Sequence, residues 1–240
     1  MSGSVVVYSG LIIAFAGLVA IFWSRRRGLV VGAAGVVLCA VGLVLPAPEL
    51  RRARAESRLD EFAPVWQFRE YHTIRVDAPP APVFEAISDV RADEILLFRT
   101  LTWIRRGGRS QPQNILDAAG RKSIIDVATD TSFVILANDA PRELVVGTVV
   151  AAPPGNRARL TPEMFKKSLP PGFALATMNF IVTPDGSGSR VSTETRVFAN
   201  SDPARRRFAV YWRVIYPGSA LIRRMWLRAI ALRATRELKR

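Results

Sequence analysis

Thiol and imidazole chemistry are almost missing from this chain, whose 240 residues hold one cysteine, Cys39, and one histidine, His72. A lone cysteine inside an apolar run excludes a disulfide framework, a CxxC pair and a cysteine-based zinc site, and no metal or other cofactor is expected. Lysine is scarce too, four residues against 30 arginines, a bias that reflects a GC-rich coding sequence rather than a function. Neither a Ser/His/Asp constellation, a phosphate-cradling loop nor a two-carboxylate motif stands out. Gly107-Gly108 and the glycines at 186 and 188 read as turns.

Acidic residues are rare at both ends. Of the net charge of +14, three units come from Arg25, Arg26 and Arg27, one from residues 49–203 and ten from residues 204–240, where 11 basic residues face one acidic residue. Basicity is therefore a property of the C-terminal tail. Charge is absent altogether from residues 5–23 and 28–45. At about 1.5 Å per residue each run spans roughly the 30 Å hydrocarbon thickness of a bilayer. The N-terminus has neither the basic n-region nor the small-residue cleavage site of a signal peptide, so residues 1–48 read as a two-helix transmembrane hairpin. Glycines 10, 17, 28, 32, 35 and 42 would let the helices approach closely. The positive-inside balance across the hairpin is thin. The basic tail, matched to the anionic cytoplasmic leaflet, places the C-terminal domain in the cytoplasm of a multi-pass protein of the plasma (inner) membrane.

Residues 49–65 read as a charged linker, helical to about 62 and leading away from the bilayer. The folded domain is expected from 66 to 240. Residues 67–76 alternate as a strand with Phe68, Glu70, His72, Ile74 and Val76 on one face. Prolines 79, 80 and 82 set up a short helix at 83–90, and a second helix is expected at 93–104. Residues 114–128 are ambiguous between helix and strand and are assigned to a third helix. Strands follow at 132–136, 142–151, 173–182 and 190–199, the last two joined by the turn at 184–188. A closing helix starts at Asp202-Pro203 and is expected to break at Pro217-Gly218, with Ser219 capping a final segment.

This order, with HTIRVDAPPAPVFEAISDV at the front and STETRVFANSDPARRRFAVYWRVIYPGSALIRRMWLRAI at the back, resembles the START-like superfamily. That group is also called the SRPBCC, polyketide-cyclase and lipid-transport, or helix-grip group. The match covers residues 67–233. It implies an α+β helix-grip fold, a curved antiparallel sheet wrapped around a long C-terminal helix with a hydrophobic cavity between them. The segment 107–131 and Pro217-Gly218 depart from that pattern.

Phe84, Thr193, Thr195, Phe208, Tyr211, Trp212 and Ile215 are the candidate cavity residues. The threonines share a strand face with Val191 and Val197, and the aromatic set forms one helical stripe. Such a stripe is more often plain core than a ligand wall. Glu194 and Arg196, on the opposite strand face, read as solvated cross-strand charges. Glu70 and His72 are the candidates for acid–base chemistry, with a structural hydrogen bond as the blander reading. Arg224, Arg228, Arg233 and Arg236 are assigned to the membrane surface, in preference to nucleic acid, with a solvated basic face that meets no partner as the blander reading. The leading functional expectation is a membrane-anchored domain that binds a lipid or other hydrophobic small molecule as carrier, sensor or storage site. A polyketide cyclase/dehydrase-like enzyme and a ligand-free scaffold docking a partner at the membrane are the alternatives. The sequence says nothing of oligomeric state.

Overall fold

The computed structural model describes residues 2–98, 100, 122–155 and 160–238. The expected turn at Gly107-Gly108 and the stretches 101–104 and 114–121 of two expected helices lie outside them. Two helices open the chain, α1 (Ser2–Ala20) and α2 (Arg25–Val44), each long and apolar enough to cross a membrane. Leu11, Ile12, Phe15, Val30 and Val44 stand exposed along them, unlike the side chains of a buried core helix. Glycine is what lets the pair touch: a Cβ on Gly10 would fall 2.6 Å from the Cys39 backbone nitrogen and 2.8 Å from the Gly35 carbonyl oxygen, so any side chain there forces the helices apart.

Beyond the hairpin lies a five-stranded antiparallel sheet of order β3-β7-β6-β5-β4. Its strands are β3 (Phe68–Val76), β4 (Phe133–Asp139), β5 (Glu143–Ala151), β6 (Ala174–Asp185) and β7 (Gly188–Ala199). Gly186, at φ +63°, makes the tight β6–β7 turn that only glycine adopts freely. Register shifts at Ile135/Ala137 and Val149/Ala151 bend the sheet. The concave face packs against α4 (Pro80–Asp89), α5 (Ile124–Thr131) and the C-terminal helix α6 (Asp202–Glu237). The fold is thus the expected α+β class, a curved sheet with a long C-terminal helix.

Four local expectations are corrected. The first helix begins at Pro80 rather than 83, because Pro79 and Pro80 suit a helix start where no N–H bond is required. The described part of the second opens with a 3-10 turn, Ala92–Glu94, and is α-helical only at Phe98 and Thr100, and that of the third is α5, whose start is fixed by the Asp126 N–H donating to Ser123 Oγ at 3.1 Å. Pro217 does not break α6, which runs unbroken for 36 residues.

That last result has a local cause. A proline lacks the N–H that would bond the carbonyl four residues back, here Arg213. The Tyr8 hydroxyl of α1 donates to that carbonyl at 2.8 Å. The Arg213 guanidinium meanwhile donates to the Leu43 and Leu45 carbonyls at the end of α2, at 2.6 Å each, satisfying acceptors that the helix terminus leaves free. Residue 213 is 4 % exposed, and burial pushes its guanidinium below its ordinary value. One residue of the C-terminal helix therefore holds both helices of the hairpin.

The linker is also corrected. Only Arg58–Phe62, α3, is helical, and the short strands β1 (Leu50–Arg51) and β2 (Val65–Trp66) pair with each other, so residues 49–65 fold back across the convex face of the sheet instead of leading away. Arg196 and Glu194, expected in solvent, are the reason. Arg196 is 1 % exposed and donates to Asp60 Oδ1 at 2.6 Å, Glu194 Oε1 at 2.7 Å and the Ala63 carbonyl at 2.9 Å. Arg69 forks onto the same Glu194 at 2.7 and 3.1 Å. Buried Glu143 accepts from the Arg58 and Leu59 backbone N–H groups and from Asn179, fixing the start of α3 to the sheet. Burial works to raise the Asp60 carboxyl, but the Glu56 backbone N–H and Arg196 more than offset it and hold it down to about 2. Glu194 is lowered as well, Arg69 and Arg196 overcoming its burial.

Candidate functional site

Along the concave face, apolar and polar rows alternate in a way that locates the site. Cross-strand pairs run Phe68–Val197, Glu70–Thr195, His72–Thr193 and Ile74–Val191 between β3 and β7. The first belongs to a cluster with Phe208, Trp212 and Ala47, where the Phe68 and Phe208 rings stand 4.9 Å apart. The last belongs to a larger cluster with Phe84, Phe180 and Trp226. Between them lies a polar band. Buried Glu70 meets His72 Nε2 through Oε1 at 2.9 Å and accepts from the Ser219 hydroxyl through Oε2 at 2.8 Å. Thr193 Oγ1 donates to the Asn179 carbonyl at 2.8 Å.

Two polar atoms facing this interior have no hydrogen-bond partner among the described residues, Thr195 Oγ1 and Trp226 Nε1. A buried donor left unbonded costs about 1–3 kcal/mol, so such atoms generally meet a water or a ligand. Thr195 stands directly across from Glu70, which makes the free hydroxyl part of the same band.

The candidate cavity residues divide accordingly. Phe84, Thr193, Thr195, Phe208 and Trp212 are buried on the concave side, Ile215 is half-buried, and Tyr211 is 38 % exposed, its ring against that of Phe208. Phe84 and the Phe208–Trp212 pair sit in separate clusters. Glu70 and His72 are brought together, yet Ser219 points at the carboxylate rather than at the imidazole, so no serine–histidine relay forms. Of the four tail arginines, Arg224, Arg228 and Arg236 are exposed; Arg233 is half-buried and paired with Glu94 at 2.9 Å.

Ser219 was missed as a site residue because the expected helix break made it a cap. The signal was present: Trp212, Ile215, Ser219, Ile222 and Trp226 follow a 3,4,3,4 spacing, and a lone hydroxyl in a heptad-like stripe must find a buried acceptor.

No protein-family model and no curated protein matches the chain. Among solved structures it is similar to the TTHA0849 protein from Thermus thermophilus, at 12% identity and a TM-score of 0.30, covering 71% of this chain and 99% of that one. It is also similar to the Mll3558 protein from Rhizobium loti, at 14% identity and a TM-score of 0.27, covering 64% of this chain and 96% of that one. Likenesses at this level carry no argument about what the chain does.

Proposed function

We propose that the chain is a membrane-anchored START-like protein that holds a lipid or other hydrophobic molecule bearing a polar group between its sheet and its C-terminal helix. The observation that supports this reading is the unbonded Thr195 hydroxyl beside the Glu70–His72–Ser219 cluster, a polar band between two apolar clusters. Small-molecule sites have this composition, apolar walls with a few placed polar groups. The hairpin keeps the domain at the plasma (inner) membrane with its C-terminal domain on the cytoplasmic side, and Arg224, Arg228 and Arg236 supply an exposed basic face for anionic head-groups. The test is native mass spectrometry and lipid extraction of the full chain purified in detergent. An apolar molecule should co-purify, and Thr195→Trp should lose it while remaining folded. A folded variant that keeps its ligand overturns the reading, as does a wild-type chain that carries no apolar molecule and gains none from lipid extract. The latter result would leave the ligand-free scaffold.

The Glu70–His72 contact supports a second reading, a cyclase-like enzyme with this pair as its acid–base group. It is the weaker of the two, because both Glu70 oxygens already have partners and proton transfer would require one to let go. Turnover of a polyketide-type substrate, abolished by Glu70→Gln with ligand binding retained, would favour it.

A further inference from the structure

The convex face carries a cleft, and its lining differs in kind from the concave band. It encloses about 520 Å³, within the roughly 300–1,000 Å³ typical of small-molecule sites. Its floor is aromatic, made by Phe62, Phe165, Phe173 and Phe198, and its rim carries Arg51, Lys166 and Lys167 without a single carboxylate among the lining residues. The floor exists because Gly147 of β5 has no side chain: a Cβ there would fall 2.5 Å from the Phe165 ring. Lys166 is held at the mouth, its Nζ 4.6 Å from the centre of the Phe62 ring. All three rim cations are exposed, and the buried network below consumes Arg196 and Arg69 but none of them.

We infer that this cleft binds an anionic lipid, with the head-group on Arg51, Lys166 and Lys167 and the apolar chain on the phenylalanine floor. Charge complementarity selects the head and the aromatic floor selects the chain. Location selects the source. Arg51 follows Leu45, the residue that caps α2, by six positions, a reach of about 20 Å even when fully extended. The adjacent leaflet is therefore within reach of the rim. The inference rests on the membrane half of the function proposed above, while it uses the opposite face of the sheet.

The experiment places the full chain in phosphatidylcholine nanodiscs with a fatty acid bearing a diazirine near the end of its chain, irradiates it, and maps the labelled peptides by mass spectrometry. Labelling should fall on the peptide holding Phe165, Phe173 and Leu175. The variant Arg51→Gln/Lys166→Gln/Lys167→Gln, altered only at exposed positions, should lose at least roughly tenfold of it, about what removing 1.4 kcal/mol of binding does. The matching fatty alcohol should label that peptide weakly and equally in both proteins. Undiminished labelling in the triple variant overturns the inference, and so does label confined to the hairpin or to the strand peptide containing Thr195. Native mass spectrometry of Thr195→Trp made in the triple-variant background reports on the concave site alone, and diazirine labelling reports on the convex one, so failure of either is visible without the other.

Discussion

The two faces of the sheet are covered by different physics. On the concave side, helices α4, α5 and α6 bury Val83, Ile87, Phe180, Leu227 and Ile230, a packing driven by apolar area and written in helical periodicity. On the convex side, a linker with only one turn of helix adds to a smaller apolar cluster around Leu59, Phe62, Val145 and Phe165 a buried polar fastening by Asp60, Glu143, Glu194 and Arg196, where geometry decides as well as area. Charged residues on a strand thus mark solvent only when nothing else in the chain returns to meet them.

Removing the central cation should give the largest effect. Arg196→Met removes the cation that Asp60 and Glu194 share in a buried site, leaving Asp60 on backbone N–H donors and Glu194 on Arg69, and should cost about 3 kcal/mol, read by denaturant unfolding of the full chain in detergent; a loss below about 1 kcal/mol would show that the linker lifts off freely and the two faces are not equals. Acid should produce the next largest. Asp60 falls from 3.8 to about 2 in the folded protein, and a depressed carboxyl contributes stability that is complete well above its unfolded value and lost as pH falls through the folded one. About 2 kcal/mol should therefore disappear between roughly pH 5 and pH 2, with Glu194 adding in the same direction. Asp60→Asn should flatten that limb of the pH profile, whereas concave-face variants such as Phe180→Leu should shift the whole profile without changing its shape.

A smaller effect sharpens the comparison where the hairpin joins. Tyr8→Phe removes the donor to the Arg213 carbonyl and should cost about 1–2 kcal/mol. In a Pro217→Ala background, where the helix supplies its own N–H, the same change should cost close to nothing. A double-mutant cycle measures the difference, and additive effects would show that the tyrosine and the proline act independently. Smallest of all, replacing Arg224, Arg228 and Arg236 together by Gln should change stability by less than about 0.5 kcal/mol per site, since these side chains are exposed.

The same division explains what could be read from the sequence. Strand alternation located β3, β6 and β7 within a few residues, and the stripe of Phe208 and Trp212 located the gripping face of α6. The linker was misread because its fastening depends on Asp60 meeting Arg196, 136 positions later, and a pairing at that distance leaves no periodic trace. One hint existed: β5 reads LVVGTVVA without a polar alternation, which requires cover on both faces. Pro217 was misread for the opposite reason, since its local rule was right and the donor that replaces its effect comes from another helix. The Glu70–His72 contact follows directly from their shared strand face, whereas the third member, Ser219, needed the helix to be continuous.

The junction at residue 213 fixes a distance. A domain hung from Pro46-Ala47-Pro48 alone would swivel about a hinge and sample many distances from the end of the hairpin. With its guanidinium on the last carbonyls of α2 and its own carbonyl held by Tyr8, the gripping helix has no hinge there. These contacts set the stand-off between the sheet and the end of the hairpin, so in the membrane placement proposed above a tilt of the hairpin would carry the sheet with it.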